Sequence, residues 1–226
     1  MNNNSLRTAT GALAGVLMSC VIGGAAFAAD PKPATETTQT TNAAVLDQLP
    51  FDNTDDFEDA ARGFIAPLPN NGVIKGKDGQ LVWDASVYQF AKGKEAPDTV
   101  NPSLWRQLQL MTQGGLYEVT PQIYQVRGAD LSVITFIEGD TGVTIVDPLI
   151  SAETAKVALD LYREHRGNKP VVGVIYTHSH VDHFGGIRGV VDEADVKAGK
   201  VHIIAPEGFT EEAISENVFA GNAMSR

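Results

Sequence analysis

Only one cysteine, Cys20, occurs in the 226 residues, and it lies in an N-terminal segment that reads as an export signal. Residues 1–10 carry Arg7 as their only charged side chain, residues 11–26 are small and apolar, and Ala26-Phe27-Ala28 offers a small-x-small cleavage site. Cleavage after Ala28 leaves a mature chain with no cysteine at all. No disulfide then staples the fold, and no thiolate is available as nucleophile or ligand. Any bound metal must be held by His and carboxylate. A long apolar run is also missing. The N-terminal one is broken by Gly11, Gly15, Gly23 and Gly24 and is shorter than the roughly 20 residues a membrane helix needs. The expectation is a periplasmic or secreted protein with no membrane attachment after cleavage. Leu17-Met18-Ser19-Cys20 also resembles a lipobox, but the apolar run continues past Cys20, where a mature lipoprotein would turn polar.

Basic charge is scarce too: 17 Lys and Arg against 28 Asp and Glu give a net charge of −11. Phosphate-backbone binding needs clustered Lys and Arg, and no such patch exists, so nucleic acid is not the expected partner. A small anionic substrate is not excluded, because a bound metal sets its own local potential. Hydrophobic residues at 43% and charged residues at 20% are a globular balance.

Residues 29–45, rich in Pro and Thr, read as a flexible linker. Val73–Lys75 and Gln80–Trp83 flank Gly76-Lys77-Asp78-Gly79 as a β-hairpin. Asn101-Pro102 starts a helix in which Leu104, Leu108 and Met111 share one face, and Gly114-Gly115 ends it. Leu116–Val119, Ile123–Arg127, Leu131–Glu138 and Val143–Val146 are strand-like runs between turn residues. Ser151 caps a helix reaching about His165, with Val157, Ala158 and Leu161 facing a core. Val171–Tyr176 reads as a strand buried on both faces, Val201–Ala205 as a further strand, and Thr210 as the cap of a last helix. A strand meander followed by β-α-β units means an α/β fold: a mixed sheet covered by helices.

Thr177-His178-Ser179-His180-Val181-Asp182-His183 directly follows the buried strand. Side chains two apart on extended backbone point the same way, so His178 and His180 can meet one ion. A turn then brings Asp182 and His183 to a neighbouring position, and Gly185-Gly186 permits that turn. Burying three imidazoles and a carboxylate without a cation would leave polar groups unsatisfied at a few kcal/mol each. Imidazole and carboxylate without sulfur suit a catalytic zinc with open positions. His165 and His202, by contrast, have nothing ligand-like spaced around them and read as packing residues.

This HxHxDH run resembles the signature of the metallo-β-lactamase superfamily. The resemblance implies an αββα sandwich with two zinc ions bridged by water or hydroxide. His178 and His180 would bind the first, Asp182 and His183 the second, and Asp147 would support the ligand loop from behind. More narrowly, Asp56-Phe57, Ala61-Arg62-Gly63-Phe64, the Val73–Phe90 region, Gly128-Ala129-Asp130-Leu131-Ser132, Ala205-Pro206-Glu207-Gly208-Phe209 and Glu216 through Met224 resemble the secreted alkyl sulfatases of that superfamily. This implies zinc-dependent hydrolysis of alkyl sulfate esters such as dodecyl sulfate to alcohol and inorganic sulfate, by a metal-activated water attacking on the carbon side. A homodimer is left open for the complete protein. In that family further acidic ligands, another His, the side-chain acid and the sulfate-binding basic residues lie downstream. The chain is therefore expected to be an N-terminal fragment, residues 46–226 forming part of the catalytic domain and its sandwich incomplete, with an apolar sheet face exposed. Hydrolysis of a β-lactam or thioester on the same scaffold, or metal binding without turnover, are the alternatives.

Overall fold

A computed structural model describes residues 32–224, so the expected signal segment and cleavage site lie outside the described residues. The first element is not the linker expected from the sequence. Helix α1 (Glu36–Gln48) is capped by Thr35, whose hydroxyl accepts from Thr38 N, and carries Glu36 in its first turn. Both features favour a helix N-terminus, and they outweigh a Thr-rich composition that reads as loop. Asn42 ties α1 to the body through the Asp98 carbonyl. Helix α2 (Asp55–Ala61) follows, and Arg106 fixes it by pairing with Asp56.

Strand β1 (Phe64–Pro67) leads into the hairpin β2 (Val73–Lys75) and β3 (Leu81–Asp84), which pair antiparallel as the Gly-Lys-Asp-Gly turn predicts. Helix α3 (Pro102–Met111) starts where expected, with Asn101 Oδ1 accepting from Ser103 N. Its predicted apolar face is not its buried one. Leu104 and Met111 are exposed, and the buried side chains are Pro102 and Trp105, the latter's indole N–H bonded to the Lys94 carbonyl. One large aromatic buried with its polar edge satisfied sets the helix rotation in place of two aliphatics.

The antiparallel meander β4 (Gly115–Thr120), β5 (Ile123–Arg127), β6 (Ile134–Glu138) and β7 (Val143–Val146) then joins a parallel pair, β8 (Val171–Ile175) and β9 (His202–Ile204). These strands and β1 form a seven-stranded mixed sheet in the order β1-β4-β5-β6-β7-β8-β9, beside the two-stranded β2–β3 sheet. The α/β class expected from the sequence is thus present. Helix α4 (Ala152–Arg166) connects β7 to β8 and touches β4, β5 and both strands of the hairpin. Its apolar stripe of Ala155, Ala158, Leu159, Leu161 and Tyr162 meets Tyr124, Phe136 and Ile145 in the core. Tyr162 stacks on Phe136 with ring centroids 4.4 Å apart. Helix α5 (Glu193–Lys197) crosses to β9. The chain continues through helix α6 (Phe209–Ile214), a wide turn at Ser215–Phe219 and helix α7 (Gly221–Met224). Gly208, in a left-handed conformation, precedes α6, so Thr210 lies inside the helix and does not cap it. His165 and His202 are both exposed, not packed.

Candidate metal centre

Strands β7 and β8 are parallel neighbours, so their carboxyl ends emerge side by side. Asp147 follows β7 directly, and the loop with His178, His180, Asp182 and His183 follows β8. Ligand sites in open α/β sheets sit at such carboxyl ends. Asp147 itself has φ 54°, as does Leu149 nearly, with φ 63°. Left-handed backbone is uncommon outside glycine, and clusters of it mark places where side chains are held for a purpose.

Asp147 is buried and its carboxylate accepts three hydrogen bonds. Thr177 N donates to Oδ1 at 2.8 Å and Thr177 Oγ1 to Oδ2 at 2.7 Å, while His183 Nδ1 lies 2.9 Å from Oδ2. An ionised carboxylate only accepts, so Nδ1 of His183 donates to Asp147 and Nε2 is the ring nitrogen turned toward Asp182. With the Thr177 hydroxyl proton committed to Asp147, its oxygen accepts from His178 Nδ1 at 2.9 Å. One carboxylate thereby orients two histidines, directly and through Thr177, which is how metal-ligating imidazoles are ordinarily held.

The loop is held close by glycines. A Cβ on Gly186 would meet the Pro148 carbonyl oxygen at 2.0 Å, and one on Gly185 would meet that of Ile150 at 2.2 Å. Gly186 N donates to Leu149 O at 2.8 Å across the same seam. Beneath, Phe184 packs with Tyr176 and Phe209 at centroid distances of 5.2–5.9 Å, joining the loop to the end of β8 and the start of α6. Burial pushes the Tyr176 phenol up to about 12, so it stays neutral.

The predicted ligands lie close together on one loop. Asp182 Oδ2 and His183 Nε2 are 3.3 Å apart; two ligands of a tetrahedral zinc, each at about 2.1 Å from it, stand about 3.4 Å apart. The Asp182 carboxyl sits lower than usual: burial works against its charge, but the Ser132 hydroxyl, its own backbone N–H and His183 and His180 outweigh that. The His178 ring lies 4.0 Å from that of His183 and 4.6 Å from that of His180. His180 is the outlying member, exposed, with Nε2 3.5 Å from Glu216 Oε1. Among the described residues no three His, Asp or Glu side chains close on a single point. The donor chemistry fits a divalent cation, which Asp182 and His183 would hold together.

Ser132 and Asp130 were missed as site residues. Ser132 Oγ donates to Asp182 Oδ2 at 2.5 Å and lies 3.2 Å from His183 Nε2. Asp130 is buried beneath it, its carboxyl raised by that burial against the hydrogen bonds of Ile150 N, Ser132 N and Thr154 Oγ1. The available signal was the pair of polar residues within Asp130-Leu131-Ser132, just before a strand. Of the aromatics scattered through the front region, Trp83 and Tyr88, whose rings lie 6.4 Å apart, line a cavity of about 900 Å³ that reaches Asp130 and Leu131.

Sheet, carboxyl-end loops and histidine cluster define a class. The model of the metallo-beta-lactamase superfamily matches residues 127–223. Over a longer stretch the chain is homologous to alkylsulfatases. It is 62% identical over 210 residues to a linear primary-alkylsulfatase of Pseudomonas sp., covering 92% of this chain and 31% of that one. It is 57% identical over 202 residues to an (R)-specific secondary-alkylsulfatase of Pseudomonas sp., covering 89% and 30%. The solved structure of a stereoselective inverting sec-alkylsulfatase from Pseudomonas sp. superposes with a TM-score of 0.80 at 58% identity, covering 86% of this chain and 30% of that one. The chain thus spans about a third of the length of these relatives.

Proposed function

We propose that this chain carries the metal-binding part of an exported hydrolase that splits alkyl sulfate esters, such as dodecyl sulfate, into alcohol and inorganic sulfate. The observation that carries the reading is the HxHxDH loop pinned by Asp147 within a stretch 62% identical to an alkylsulfatase. His178, His180, Asp182 and His183 would hold the cations. Zinc is the metal of choice for this sulfur-free donor set. When bound, such cations supply Lewis acidity and a hydroxide nucleophile near neutral pH.

The chain's own residues prepare the site. Asp147 orients the rings of His183 and, through Thr177, of His178, and Ser132 holds Asp182. The nearby carboxylates of Asp130, Asp147, Asp182 and Glu216 would disfavour an anionic sulfate ester, and bound cations would offset that charge. No described helix is long and apolar enough to cross a membrane, and export is proposed from the sequence pattern of residues 1–28.

The test is sulfate release from a series of primary and secondary medium-chain alkyl sulfates by the full-length protein. Release is expected, is lost with chelator and returns with zinc. Turnover of a chromogenic β-lactam or a thioester, with no sulfate released from any of the series, would overturn the substrate assignment. Export is tested by the N-terminal sequence of protein recovered outside the cytoplasm, expected to begin at Ala29.

A further inference from the structure

Ser132 is nearly inaccessible, 6% exposed, yet its hydroxyl reaches two of the proposed ligands. Its place is set by Asp130, itself 5% exposed. Oδ1 of Asp130 accepts from Ser132 N at 2.9 Å, and Oδ2 accepts from Ile150 N at 2.9 Å and from Thr154 Oγ1 at 2.8 Å. One buried carboxylate thus ties the turn before β6, the segment after β7 and the first turn of α4. Three hydrogen bonds from three segments hold that carboxylate, so the Ser132 hydroxyl is delivered to Asp182 from a well-tethered base.

We propose that Ser132 is a positioning residue of the metal centre, anchored by Asp130: its hydroxyl fixes the rotation of the Asp182 carboxylate so that Asp182 and His183 face one cation together. The terminal torsion of an aspartate is broad and roughly two-fold, so packing alone does not choose which oxygen faces His183. The serine proton takes one lone pair of Oδ2 and leaves the remainder for a cation. Asp147 already performs the equivalent task for His183, and Ser132 completes the pair. The inference rests on the metal-binding reading above.

The experiment loads full-length wild-type protein, Ser132→Ala, Ser132→Thr and Asp130→Asn with Co²⁺ and with Zn²⁺. It reads stoichiometry and affinity by chelator competition, together with the visible Co²⁺ spectrum. Loss of such an outer contact typically weakens metal affinity by roughly 10–100-fold. Ser132→Ala is expected to weaken one of the bound equivalents by that amount and to alter its Co²⁺ band. Ser132→Thr, which keeps the hydroxyl, restores both. Asp130→Asn, which loosens the same hydroxyl from behind, is expected to weaken the same equivalent, and it serves alone if Ser132→Ala does not fold. Wild-type affinity and spectrum in the folded variants overturn the role of Ser132. A wild-type protein that binds neither ion overturns the metal-centre reading and this inference with it.

Discussion

At Asp147 three donors meet one carboxylate on a backbone that few aspartates adopt. Asparagine tolerates left-handed backbone almost as well, which separates conformation from chemistry. Asp147→Asn keeps the turn but has one acceptor oxygen where three hydrogen bonds arrive. It is expected to lower metal affinity roughly 10–100-fold, read by chelator competition, with a smaller loss of melting temperature than Asp147→Ala. Gly186 makes the opposite demand, since there even a methyl group collides with the Pro148 carbonyl. Gly186→Ala is expected to cost about 1–3 kcal/mol in denaturant unfolding, as overpacking does. Much at this scale was legible in the sequence. Three histidines and an aspartate at a strand end, with Asp147 before a proline, point to the site directly. Ser132 was not legible, because the run from Leu131 to Glu138 reads as one strand and hides the turn that Asp130 imposes. Strand pairing begins only at Ile134, and the hydroxyl gains its meaning from residues 50 positions away.

Among the elements, α4 organises the most. Its start is a capping box: Ser151 Oγ accepts from Thr154 N, and Thr154 Oγ1 from Ser151 N. Ser151→Ala is expected to lower stability by about 1 kcal/mol, measured by urea unfolding. Its far end is held by Glu138 on β6, a buried carboxylate receiving Tyr162 OH at 2.9 Å, Arg166 Nε at 3.1 Å and Lys169 Nζ at 3.2 Å. Burial alone would raise the Glu138 carboxyl, but these three donors bring it below its ordinary value. A depressed carboxylate contributes stability that is present above the unfolded pKa and is lost as pH falls through the folded one. The wild-type protein should therefore lose stability below about pH 4.5 more steeply than Glu138→Gln, as acid titrations of folding will show. Helix α4 was readable in advance from its serine cap and apolar stripe. Helix α1 was not, because its exposed sequence has no apolar periodicity to reveal it and its footing on Asp98 is a tertiary contact.

Over the whole described molecule, the core gathers around α4 and the centre of the sheet, while exposed apolar side chains are spread along the chain, one group of them in its last stretch. All three residues of β9 are exposed, and Ile204, Ile214, Val218 and Phe219 stand open to solvent. An edge strand with unpaired backbone and aliphatic side chains is a template for another strand. A polypeptide of these 226 residues is expected to self-associate in a concentration-dependent way by sedimentation velocity, and Ile204→Lys to reduce that association. Monomeric behaviour of the unsubstituted polypeptide at high concentration would refute the expectation.

The glycine seam has a mechanical corollary. Because Gly185 and Gly186 lie flush on the carbonyls leading into α4, the histidine loop cannot lift without the start of that helix rising with it. Loop and helix start should then breathe as one unit. In native-state deuterium labelling, the amides of Gly186 and Ala155 are expected to be released together, at a shared opening free energy.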